Sequence, residues 1–158
     1  MKRIVKFLLV SILLTGPITA QKIEGVWALT EVTTTGANGK TQQVSQPSMY
    51  LFTKKHYSII YVAGDAPRPD VADIDAATAD ELRNIFVRSF IANAGTYEIK
   101  GGKLTTRPMV AKSPNFMKSG TWVTSAVTIN ANTMTLVTES NNAGPAANPT
   151  TFKLKRIE

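Results

Sequence analysis

Between residues 96 and 157 the sequence keeps one rhythm. Runs of β-branched and aromatic residues are broken by glycine, asparagine and proline. Residues 96–100 and 103–107 flank Gly101-Gly102, a two-residue connection whose backbone twist suits antiparallel strands. Residues 121–130 and 133–139 flank Ala131-Asn132 in the same way. In the last run, 150–157, Phe152, Leu154 and Arg156 alternate with Lys153, Lys155 and Ile157. Three further strands precede these. Residues 26–33 alternate weakly behind Gly25, residues 41–44 lead across Pro47 into a strand at 49–53, and residues 57–63 form the third. Eight strands joined in sequence predict an all-β, up-and-down antiparallel barrel, and eight strands enclose just enough room for one small ligand.

One stretch breaks the rhythm. Residues 75–78 offer capping side chains, Asp80 and Glu81 stand where a helix dipole favours acids, and Leu82, Ile85, Phe86, Ser89 and Phe90 recur at helical spacing. The spacing predicts a helix over 79–92, closed by Asn93-Ala94-Gly95 as a glycine C-cap. A single helix among strands predicts a lid or plug inserted between strands three and four, not a βαβ crossover.

The N-terminus reads as a cleavable leader. Lys2, Arg3 and Lys6 precede an apolar run at 7–14, and Ile18-Thr19-Ala20 supplies small residues before a cut at Ala20–Gln21. That run is far shorter than the ~20 residues of a membrane-spanning helix. The expected mature domain is 21–158, exported to the periplasm or beyond, with no stable membrane anchor. The chain has no cysteine. Disulfides, thiolate zinc sites and lipid attachment through cysteine are therefore excluded. The formal net charge is +7. Without the three basic residues of the leader it is +4, from 15 basic and 11 acidic side chains. The basic residues are scattered, which does not suit a nucleic-acid surface.

Few residues suggest chemistry, and no complete catalytic set is present. His56 is the single histidine, so a two-histidine metal site or a histidine relay partnered by a second histidine cannot form; it reads as a solvated turn residue. Asp65, Asp70, Asp73 and Asp75 crowd the segment before the helix but lack an EF-hand pattern, and they read as loop and capping residues. No metal and no cofactor is expected. Candidate pocket residues are Tyr57, Tyr61, Phe86, Phe90, Met117 and Trp122, any of which can instead be packed core. Arg68 and Arg107 each stand beside a proline. Turned inward, either would suit a ligand carboxylate; turned outward, Arg107 would be a surface residue or pair with Glu98.

Gly25-Val26-Trp27 near the start of the mature chain, with Arg156 near its end, resembles the lipocalin and calycin superfamily. There a first-strand Gly-x-Trp closes the barrel and a basic residue of the last strand covers the indole. The sequence resembles more closely a bacterial group of lipocalin-like domains, through Gly64-Asp65-Ala66-Pro67-Arg68-Pro69, Gly95-Thr96-Tyr97-Glu98, Arg107-Pro108 and Ala111-Lys112-Ser113-Pro114. The resemblance spans nearly all of the mature chain. It implies a calycin barrel and structural roles for Gly25, Trp27 and Arg156, and it brings no settled activity. Unlike secreted animal lipocalins, this chain has no disulfide and carries the inserted helix. The expected function is binding of a small apolar or amphipathic molecule, with an anionic group as one variant that Arg68 or Arg107 would suit. The alternatives are an isomerase- or cyclase-type enzyme using a tyrosine, Glu98 or an aspartate, and an envelope interaction module with a filled barrel. Oligomeric state is not legible in the sequence.

Overall fold

The computed structural model describes residues 22–158; the expected leader lies outside the described residues. The chain runs β1 (Gly25–Thr34), β2 (Thr41–Gln43), β3 (Ser48–Phe52), β4 (His56–Val62), α1 (Ala79–Leu82), β5 (Phe90–Lys100), β6 (Lys103–Ala111), β7 (Val123–Asn130), β8 (Thr133–Asn141), β9 (Gly144–Pro145) and β10 (Thr150–Arg156). Eight strands close an antiparallel barrel in the order β1, β3, β4, β5, β6, β7, β8, β10, with β10 bonded to both β8 and β1. The short strands β2 and β9 are accessory, pairing with β1 and β8. β2 and β3 both pair with β1 and are the two halves of one strand, parted around Pro47, which has no N–H to donate.

Up-and-down connectivity sorts the connections by length. The tight turns, among them Gly101-Gly102 with both φ positive, gather at one end with the start of β1 and the end of β10. The long connections at 63–89, 112–122 and 142–149 gather at the other. The closed end is filled first. Trp27 is wholly buried, with Phe52, Met134 and Leu154 the other large side chains of lowest exposure. Leu29, Tyr50, Tyr57, Leu104 and Leu136 continue this core towards the open end.

The helix differs from the periodicity. It is α-helical only over Ala79–Leu82, starting at a capping box in which Glu81 N–H donates to Thr78 Oγ1 and Thr78 N–H donates to the Glu81 carboxylate (2.8 Å). It then widens into a π-helical turn, Arg83–Arg88, and Phe90 already begins β5. Phe90 to Thr96 pair with Val62 to His56, so the free edge of β4 takes the backbone that local spacing assigns to a helix. Gly95 is accordingly no C-cap. It sits at a bulge between β5 and β6, where a Cβ would collide with the Arg107 carbonyl. The end of the π turn is closed from outside: Lys112 Nζ donates to the carbonyls of Phe86 (2.7 Å), Val87 (3.1 Å) and Phe90.

Candidate ligand-binding cavity

Alternation along the strands points every second side chain inward, and near the open end these do not meet. They leave a cavity of about 310 Å³. Its wall is built in i, i+2 pairs: Ile59 and Tyr61 on β4, Ile91 and Asn93 on β5, Leu104 and Thr106 on β6, Val123 and Ser125 on β7, Leu136 and Thr138 on β8. Tyr50 and Phe152 complete the ring, and Phe116, from a single 3₁₀ turn at Pro114–Met117, stands at the mouth with Asn141. The rings of Tyr50 and Tyr61 lie 6.0 Å apart at 21°, an aromatic panel on one wall. Among the described residues no charged side chain lines the cavity.

Its polar groups are neutral, and several are uncommitted. Among the described residues the hydroxyls of Tyr50, Tyr61, Ser125 and Thr138 and the Asn93 amide make no hydrogen bond within the protein, while they line the cavity. Burial pushes Tyr50 well above, and Tyr61 above, the ordinary tyrosine value of 10.0, so both stay phenolic donors. Just below them Tyr57 is 3 % exposed and its hydroxyl is buried without a hydrogen-bond partner. Burial pushes it up to about 12 although the Thr106 side chain acts in the opposite sense; the Thr106 hydroxyl is itself donated to the Val123 carbonyl at 3.3 Å.

The residues singled out from sequence are dispersed by the fold. Tyr61 lines the cavity and Tyr57 packs beneath it on the same face of β4. Arg68 and Phe86 instead border a separate surface recess of about 450 Å³ beside the 63–89 connection. There the Arg68 guanidinium lies 5.0 Å from the centre of the Phe90 ring and donates to the Ile85 carbonyl (3.3 Å). Arg107 is on the outer face of β6, 3.0 Å from Glu98, and with Met117 borders another recess of about 380 Å³. Neither arginine reaches the barrel interior, and Glu98, one of the groups an acid–base reading would use, is outside as well. Trp122 flanks an outer recess that shares Phe116, Val123 and Asn141 with the mouth of the cavity. Asp73 accepts the N–H groups of Asp75 (2.9 Å) and Ala76 (3.3 Å), a local turn before the helix. Asn93, Ser125 and Thr138 carry no signal in the sequence: each is a polar residue at an alternating strand position, and only closure of the sheet reveals that its face is inside.

A closed eight-stranded meander with Trp27 as a plug, the Arg156 guanidinium 4.0 Å from the centre of its ring, and a hollow open end is a calycin-type barrel. Residues 23–136 match the model of the lipocalin-like domain family, and the chain belongs to that family. Solved structures similar to it include the following two. One is a lipocalin-like protein from Bacteroides uniformis, 16 % identical, with 85 % of this chain and 97 % of that one covered at a TM-score of 0.45. The other is an uncharacterized protein from Bacteroides eggerthii, 16 % identical, with 84 % and 98 % covered at a TM-score of 0.45. No curated protein matches the chain.

Proposed function

We propose that this protein binds a small apolar or amphipathic molecule inside the open half of its barrel. The observation that carries the proposal is the cavity itself: about 310 Å³, walled by Ile59, Ile91, Leu104, Leu136, Phe152 and two tyrosine rings, with a few convergent polar groups. Pockets of this size and lining are the usual form of small-molecule sites. The leader read at residues 1–20 supports a reading in which the mature chain starts at Gln21 and binding takes place outside the cytoplasm, in the periplasm or beyond.

Native mass spectrometry of the protein purified from its own host tests the reading. A bound small molecule is expected on the wild type and lost from Ser125→Phe, whose ring would fill the cavity. Circular dichroism of the variant confirms that the barrel still forms. A wild-type mass equal to the bare chain, together with no uptake of any probe in a hydrophobic fluorophore panel, would overturn it. N-terminal sequencing of the same sample is expected to begin at Gln21.

A further inference from the structure

We infer that the ligand is an uncharged ring compound carrying hydrogen-bonding substituents, held against the Tyr50–Tyr61 panel, and not a fatty acid or other carboxylate. This inference rests on the small-molecule reading above and narrows it.

Three features of the wall support it. First, among the described residues the lining has no lysine, arginine or histidine. A carboxylate drawn into it would lose its hydration without gaining a cation, a cost of several kcal/mol in a low-dielectric interior. Arg68 and Arg107, the two arginines singled out from sequence, are engaged outside, on Phe90 and on Glu98, and Lys118 borders the outer recess beside the mouth and not the cavity itself. Second, the wall is polar beyond what an acyl chain needs. Tyr50, Tyr61, Asn93, Ser125 and Thr138 come from five different strands, and their side chains have free hydrogen-bonding capacity around the cavity. Tyr50 and Ser125 are at least nine-tenths buried, at 3 % and 9 % exposure. Hydroxyls so enclosed select a ligand that can answer them, because a hydrocarbon would leave them unpaired. Third, the shape suits a flat molecule. The two tyrosine rings, tilted only 21° from each other, offer a broad π surface. A volume of about 310 Å³ has room for a molecule of one or two fused rings.

Isothermal titration of the purified protein with three probes tests this: 2-naphthol, 2-naphthoate and dodecanoate, at neutral pH. 2-Naphthol is expected to bind at least tenfold more tightly than either anion. Tyr61→Phe, which keeps the ring and removes the hydroxyl, and Ser125→Ala are each expected to weaken 2-naphthol about three- to tenfold. Their thermal midpoints should stay close to wild type, so a loss of affinity is not a loss of fold. Naphthoate or dodecanoate binding as tightly as 2-naphthol would overturn the inference and leave the small-molecule reading standing. Unchanged 2-naphthol affinity in both variants would overturn it too. Failure of all three probes on folded wild type whose native mass still shows a bound molecule would overturn the inference alone; the same failure with a bare native mass and no uptake in the fluorophore panel would sink both.

Discussion

Trp27 has no solvent exposure; its indole N–H donates to the Ile23 carbonyl (2.8 Å), and the Arg156 guanidinium lies 4.0 Å from its ring. The same guanidinium donates to the carbonyls of Glu24 (2.6 Å) and Lys22 (2.7 Å), so one side chain ties the last strand to the chain entering the first. Gly25 makes this possible. Its φ is +128°, and a Cβ there would sit 2.5 Å from both the Arg156 guanidinium and the Glu158 carbonyl. Trp27→Ala is expected to lower unfolding free energy by about 3–5 kcal/mol, a large part of the stability of an ordinary domain. Gly25→Ala should cost about 1–3 kcal/mol through backbone strain. Urea denaturation of the two variants checks both values. Neither should alter ligand affinity in material that remains folded, since both residues sit at the closed end, away from the cavity.

The segment between β4 and β5 is held to the barrel by a few contacts made from outside. Lys112 ties the end of the π turn to the end of β6, Arg68 fastens it to Phe90 and Ile85, and Ala63 N–H donates to the Ser89 carbonyl (2.8 Å). Two of the carbonyls that Lys112 meets, those of Phe86 and Val87, are ones a helix end leaves without intrahelical partners. Lys112→Met keeps the aliphatic stem and removes the donors. Amide exchange over residues 83–92 should then quicken about tenfold, with β1, β8 and β10 unchanged, as read by hydrogen–deuterium mass spectrometry. Unchanged exchange there would show that Arg68 and the Ile85 packing suffice to hold the segment.

At the scale of the whole molecule, all four tyrosines titrate above their ordinary value, Tyr50, Tyr57, Tyr61 and Tyr97 each mainly through burial. A group whose folded value is raised contributes stability that is complete below its unfolded value and lost as pH rises through the folded one. The unfolded value is 10.0 and the folded value of Tyr57 about 12. Urea midpoints are therefore expected to hold up to about pH 10 and to fall between pH 10 and 12 as far as these groups are concerned. A phenolate absorbance titration should show the folded protein ionising later than the urea-unfolded chain. Coincident titration curves would show that the barrel interior is open to water at all four rings.

Much of this architecture was legible residue by residue. The eight strands follow from alternation and from turns such as Gly101-Gly102, because side-chain period and turn chemistry are local properties. The Trp27–Arg156 pairing was legible only through resemblance, since 129 positions separate the two in the chain. What the sequence could not decide was where local preference loses to a distant partner. Residues 83–92 are spaced as a helix, yet β4 had unpaired hydrogen-bonding groups that claimed Phe90 onward. The site was the least legible part. Arg68 and Arg107 look like anchors for an anion in the sequence, but the pleat turns Arg107 to the outer face and Phe90 holds Arg68 outside. Ser125, Thr138 and Asn93 look unremarkable until eight strands close and make their face an interior. Sequence alone determined the strands, the turns and the absence of disulfides, because these depend on neighbours along the chain. Tertiary structure decided which face is inside and what chemistry lines it, because a closed sheet assigns inside and outside to all its strands at once.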